Sequence, residues 1–236
     1  MNNSARLVFG VCVVAGLTMV AIALHWWGAA EIRAEANEVV FLTAAAAAWL
    51  MVATKLFSWL GLSFRDDAVE RRNIAALVAL CGAIMAAAII YAGGSLGEGP
   101  SYLNNVFSAG LGMGALLGLW ILLELGANVS RSIAEERDLA SGIRMGGFLV
   151  AGGLILGRAV AGDWHSEEAT IHDFIHDGWP SAVLGVVAFL VERFARPSRR
   201  CPFPPWPGYG LVPGLLYVAF ASAWLWFLGP WEGMHR

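Results

Sequence analysis

The sequence predicts an all-α, polytopic membrane bundle of about seven transmembrane helices, with the N-terminus inside and the C-terminus outside. Three observations predict it. Seven apolar stretches each approach the length of a bilayer crossing, almost all the positive charge lies in every second connecting segment, and tryptophans gather at the predicted boundaries. Composition fits: 58% of residues are hydrophobic and 14% charged, with a mean hydropathy of +0.64. Soluble domains carry about 25% charged residues.

The stretches are Leu7–Trp27, Val39–Leu60, Asn73–Gly94, Tyr102–Leu125, Leu139–Ala161, Trp179–Phe194 and Tyr209–Leu228. A helix needs roughly 20 apolar residues to cross the hydrocarbon core. The first stretch could be read as a signal peptide, with Arg6 as its charged lead and Gly28-Ala29-Ala30 as a cleavage site. It exceeds the usual apolar core of about 7–15 residues, so it is expected to remain as a helix. Trp26 and Trp27 anchor its outer end. The sixth stretch is the shortest. Its apolar part stops at Val191, Pro180 occupies its first turn, and Glu192 and Arg193 are expected to snorkel to the inner surface. A proline-rich inner loop, Cys201–Pro207, reads as a stiff connector into the seventh stretch, with a polyproline docking strip as the alternative.

Direction follows from arginine. Arg6, then Arg65, Arg71 and Arg72, then Arg131 and Arg137, then Arg193, Arg196, Arg199 and Arg200 mark one side. The intervening segments hold Glu31, Glu35 and Glu38; Glu98; and Asp163, Glu167, Glu168, Asp173 and Asp177. Cytoplasmic loops retain Lys and Arg, which places the first set inside. Trp26, Trp27, Trp164, Trp179 and Trp231 fall at outer boundaries and Trp59 and Trp206 at inner ones, while Trp49 and Trp120 lie deeper as packing residues. Small residues concentrate within the spans, at Ala44–Ala48, at Gly110, Gly112, Gly114 and Gly118, and at Gly142, Gly146, Gly147, Gly152 and Gly153. They permit close helix approach, with or without self-association.

Two parts of the chain are alike. Glu70-Arg71-Arg72-Asn73-Ile74-Ala75-Ala76, reaching Gly82, matches Glu135-Glu136-Arg137-Asp138-Leu139-Ala140-Ser141, reaching Gly147, at a constant offset of 65 residues. The helices that follow also align, Ser108-Ala109 with Ser181-Ala182 and Leu111-Gly112 with Leu184-Gly185. Within one membrane domain spanning 1–236, this gives repeated, like-oriented hairpins at 66–128 and 131–195. A first hairpin at 1–62 is related through Val40-Phe41 and Val106-Phe107, and a loop and seventh helix follow at 196–236. Asn73 and Asp138 are suited to capping helix N-termini, and Glu70 and Glu135 to the positive end of the helix dipole.

This motif, Asn-x-Ala-Ala followed by Gly82 with an acidic lead-in, resembles the bacterial membrane family catalogued as domain of unknown function 350, the YjfL-like proteins. The resemblance covers about Asp66 to Phe194. It departs at Arg72, where the family often has glycine, and at Asp138 and Ser141 in the second copy. It implies an inner-membrane location and an association with envelope-stress or membrane-remodelling partners. It implies no reaction and no catalytic residue.

Two groups of residues could carry chemistry. As a helix, the outer loop Asp163–Gly178 would place Glu168, His172 and His176 in one row, with His165 nearby. Such a row could chelate a divalent metal, or simply form the hydrated face of an interfacial amphipathic helix. Within the spans, Glu124, Arg144 and Arg158 are costly charges, and Glu124 and Arg144 share a depth at which they could pair. Other classes are disfavoured. Lys55, the single lysine, is on the second stretch, so a seventh-helix retinal Schiff base has no candidate. Only His25 lies within a span, which disfavours paired haem ligation. Phosphate-binding and nucleophile-elbow motifs are missing, and so is a basic tract for nucleic acid. Cys12, Cys81 and Cys201 form no disulfide framework or CxxC pair by spacing.

The expectation is a non-enzymatic membrane protein without a cofactor, partnered by the bilayer and by itself or another membrane protein. A small transporter using Glu124, Arg144 and Arg158 is the alternative, and a metal-binding outer loop the third. Reporter fusions test the orientation. A fluorescent reporter should be active after Arg72 or Arg137 and a periplasmic phosphatase after Glu98 or Asp163; the reverse pattern would refute it.

Overall fold

The computed structural model describes residues 3–195 and 205–230, and all regular elements among them are helical. The arginine cluster Arg196, Arg199 and Arg200, together with Cys201 and Trp231, lies outside the described residues. Among the described residues eight main helices form: α1 Asn3–Trp27, α2 Ala36–Trp59, α3 Ile74–Gly94, α4 Tyr102–Ala127, α5 Leu139–Ala159, α6 Glu167–Gly178, α7 Pro180–Ala195 and α8 Val212–Leu228. Short helical turns at Ala30–Ala34, Phe64–Glu70, Val129–Ala134 and Pro207–Leu211 join them.

Among the described residues six stretches are long and apolar enough to cross a membrane: Ser4–Trp27, Ala36–Trp59, Ile74–Gly94, Tyr102–Ala127, Leu139–Ala159 and Pro207–Leu228. A seventh crossing requires α6 and α7 together, because they meet at a 44° bend. This changes the expected sixth span. Trp179–Phe194 is not an independent crossing; α7 has only 16 residues and continues from the amphipathic α6. The bend has a local cause. Pro180 has no N–H to donate to the carbonyl four residues back, so the helical ladder breaks there.

The helices pack in two layers. α1, α3, α5 and α8 lie side by side in one direction, and α2, α4 and α7 return across them. End-to-end register shows the shared direction. Phe9 stacks on Phe64 just before α3 begins, with ring centroids 3.9 Å apart, and the Ala29 N–H donates to Leu96 O just beyond its end. In the returning layer Phe57 of α2 stacks on the fully buried Trp120 of α4, and Trp49 lies against Tyr91. The two deep tryptophans are therefore packing residues. Trp26, Trp27, Trp59, Trp179 and Trp206 are exposed at helix ends.

Small residues set the spacing along the first layer. A β-carbon on Gly82 would lie 2.5 Å from Gly146 Cα, and one on Gly153 would lie 2.7 Å from Ala86 Cα, so α3 and α5 touch backbone to backbone. The contact between α5 and α8 has the same character, since a β-carbon on Gly147 would lie 2.6 Å from Gly214 Cα. Close approach of this kind replaces the hydrophobic drive that lipid does not supply. By contrast, Gly110, Gly114 and Gly118 on α4 meet nothing within 4 Å.

Gly82→Leu should therefore force α3 away from α5 and lower stability by about 3 kcal/mol or more. Val186→Leu, on an exposed apolar position, should be neutral. Thermal unfolding of the purified protein in detergent compares the two, and equal midpoints would refute the packing argument.

Candidate functional site

The densest polar arrangement within the spans begins at the N-terminus of α5. Arg137 has φ +56°, which turns the chain sharply into the helix, and Asp138 caps it by accepting the N–H groups of Ala140 and Ser141 at 3.2 and 2.9 Å. Ser141 Oγ donates to Asp138 Oδ2 at 2.6 Å and accepts from Arg144 Nη2 at 2.8 Å. Arg144 is fully buried. Its Nε and Nη2 donate to Glu192 Oε1 and Oε2 of α7 at 2.7 and 2.8 Å, and its Nη1 donates to the Tyr209 carbonyl in the turn before α8. The guanidinium thus ties α5 to α7 and to the entry of α8. A bidentate pair with additional acceptors is the geometry in which a desolvated charge pair is best compensated.

Tyr217 of α8 borders this group. It is 4% exposed, stands edge-on to Phe148 and lies in the field of both Glu192 and Arg144. Its hydroxyl has no hydrogen-bond partner among the described residues.

Glu124 does not pair with Arg144. Its Oε2 accepts the Ser130 N–H at 2.8 Å, closing the turn after α4, while Ser130 Oγ donates to Leu60 O at 2.7 Å. Glu192 likewise does not snorkel, being 4% exposed and held by Arg144. The sequence offered Arg144 only a partner of matching depth and not Glu192, which lies 48 positions away on a helix that only the fold brings alongside. The short apolar run of the sixth stretch was the available signal. A carboxylate so near its end either reaches water or finds a cation.

Arg158 is also paired. Its Nη1 lies 3.3 Å from Asp177 Oδ2 at the elbow between α6 and α7, and the Asp177 carbonyl accepts Trp224 Nε1 at 2.9 Å. His176 Nδ1 lies 2.9 Å from Asp177 Oδ1, and His172 Nδ1 lies 3.4 Å from Asp173 Oδ1. Both histidines are exposed, as are His165 and Glu168. Although α6 forms as expected, no group of three His, Cys, Asp or Glu side chains among the described residues is arranged to hold a metal. The row His165, Glu168, His172 and His176 is not gathered into a ligand set.

A cavity of about 650 Å³ opens at the acidic end, lined by Glu31, Glu35, Glu38, Glu98, Tyr102 and Asn105 among others. The Tyr102 hydroxyl lies 2.9 and 3.0 Å from the two Glu38 carboxylate oxygens. The sequence showed these acids only as a charge pattern.

The two motif segments adopt matching geometry. Arg72 has φ +54° and Arg137 φ +56°, the left-handed region that glycine enters without strain. Asn73 caps α3 through the N–H groups of Ala75 and Ala76, as Asp138 caps α5. Asn73 Nδ2 also donates to Ile133 O at 2.6 Å. The Asn73 N–H donates to Asp67 O and the Asp138 N–H to Ser132 O. Glu70 pairs with Arg65, and Glu135 with Arg131, on the exposed surface. α3 and α5 each contain 21 residues, and Gly82 and Gly147 each press on a glycine of the next helix in the layer.

A family model described as Domain of Unknown Function (DUF350) matches residues 32–160, more than half of the chain. The chain belongs to this family. The matched region runs from the turn before α2 to the end of α5, so it begins and ends about one helix earlier than the resemblance over Asp66–Phe194. The DUF350 region therefore contains α2 through α5, while α1, α6, α7 and α8 lie outside it. No curated protein and no solved structure matches the chain.

The buried pair makes a specific prediction. Arg144→Leu or Glu192→Leu alone should destabilise the protein by about 3–5 kcal/mol, because each strands a desolvated charge. The double variant Arg144→Leu/Glu192→Leu should recover most of that loss. Thermal unfolding checks this, and a double variant as unstable as either single one would refute it.

Proposed function

We propose that this DUF350 protein is a non-enzymatic, multi-pass protein of the bacterial cytoplasmic membrane, oriented with its N-terminus inside, that works by packing with itself or with another membrane protein. The observation that carries this reading is the free glycine face of α4. Gly110, Gly114 and Gly118 recur every four residues with nothing within 4 Å, whereas Gly82, Gly142, Gly146, Gly147 and Gly153 are occupied in helix contacts. Such a face allows a second helix to approach closely within lipid. Exposed Leu103, Val106, Ile121, Leu122 and Leu125 extend the apolar surface of α4.

The internal repeat belongs to the same reading. Matching caps, left-handed arginines and glycine contacts at a 65-residue offset support duplication of a helix–turn–helix unit in parallel orientation. The bounds of the DUF350 match favour α2–α3 and α4–α5 as the two units, one helix earlier than hairpins at 66–128 and 131–195. Association with envelope-stress or membrane-remodelling partners remains part of the proposal.

Pairing of Glu124, Arg144 and Arg158 within the chain favours structural work for these charges over solute handling. Native mass spectrometry and cross-linking in membranes should detect a self-assembly or a stable complex. Gly110→Leu/Gly114→Leu should abolish it while leaving thermal stability unchanged. A wild-type protein that stays monomeric and unpartnered, or that moves solute in liposomes in an Arg144-dependent way, would overturn the reading.

A further inference from the structure

Sequence spacing separates Cys12 from Cys81 by 69 positions, yet the packing of α1 on α3 brings them together. The register is set one turn further along. A β-carbon on Gly16 of α1 would lie 3.2 Å from Ala88 Cβ and 3.9 Å from Met85 Sδ of α3. Because the two helices run in the same direction, stepping back one turn on each places Cys12 beside Cys81. The Cys12 thiol is the neighbouring group that acts on the Cys81 thiol across this contact. Both cysteines are free and half-buried. Met85 follows Cys81 by one turn on the same face of α3, and its Sδ faces α1 at Gly16, one turn on from Cys12. Three sulfur atoms from two helices therefore line one seam at the level of the hydrocarbon core.

We propose that Cys12, Cys81 and Met85 form a binding site for a soft monovalent metal ion, Cu(I) in the first instance. Thiolate and thioether sulfur prefer Cu(I) to the hard cations that carboxylates select. Charge balance suits the location. One thiol releases its proton to water as the ion enters, and the resulting thiolate neutralises the single positive charge. The second thiol and the thioether then complete the coordination as neutral donors, so no net charge is left in an apolar seam where it would be costly. The site uses no residue of the Arg144 group and does not depend on the proposed assembly through α4.

The test uses the full chain carrying Cys201→Ser, so that the remaining thiols are those of the seam. The purified, reduced protein is titrated anaerobically in detergent with Cu(I) against a chromophoric Cu(I) chelator. One ion per chain is expected. Cys12→Ser and Cys81→Ser should each weaken binding by roughly a hundredfold, and Met85→Leu by roughly tenfold. Size-exclusion profiles and helical circular dichroism matching the parent show that the variants are folded, and serine keeps the cysteine shape. No uptake by the reduced protein, or uptake that survives loss of both thiols, overturns the proposal. So does a chain that only oxidises, with a mass lower by about 2 Da, and binds no Cu(I) once reduced again; that result would assign the pair to a redox cross-link instead.

Discussion

Backbone contact between α3 and α5 is the constraint on which the rest of the structure depends. Lipid is as apolar as leucine, so these helices gain little from burying larger side chains against each other. They gain from proximity. Gly82 on Gly146 and Gly153 on Ala86 remove the side chains that would hold the axes apart. With α3 and α5 at the centre, α1 and α2 settle on one flank and α7 and α8 on the other, while α4 spans both central helices. The caps at Asn73 and Asp138 and the left-handed arginines before them fix where the two central helices begin, and so set the register in which the glycines meet.

Much of this was legible in the sequence. The apolar stretches became helices within a few residues of their expected bounds. Asn73 and Asp138 cap as their side chains predict, and the small residues of α3 and α5 proved to be contact positions. These features are local, because capping and span length depend on neighbours in the chain. What was not legible required knowledge of which helices are adjacent. Glu192 is expected in water when its helix is considered alone, and Glu124 could be matched to Arg144 only by depth, because depth is readable while azimuth is not. The Cys12–Cys81 contact was invisible to spacing for the same reason. The elbow at Pro180 was a different kind of miss. Proline at a first turn is harmless when the helix starts there, but here α6 already leads into it.

Arg72 explains a departure from the family pattern in physical terms. The resemblance places glycine at this position, and the backbone there is left-handed with φ +54°. A β-carbon in that region costs about 1–2 kcal/mol. Arg137 accepts the same conformation. Both positions lie at the arginine-rich end, where a positive side chain resists translocation. The strain and the charge thus act on the same two residues, one against folding and the other in favour of a defined orientation.

The pairing of Arg144 with Glu192 bears on how the chain enters a membrane at all. α5 precedes α7 in the chain, and Arg144 lies in the first third of α5, where an unpaired arginine costs less than the about 2.5–3.5 kcal/mol of a bilayer-centre position but is still unfavourable. α7, with 16 residues and a carboxylate near its end, is a poor candidate for insertion by itself. Each helix supplies what the other lacks. The burial of Arg144 is therefore completed only when α7 packs beside α5, so a late helix of the chain finishes the environment of an earlier one.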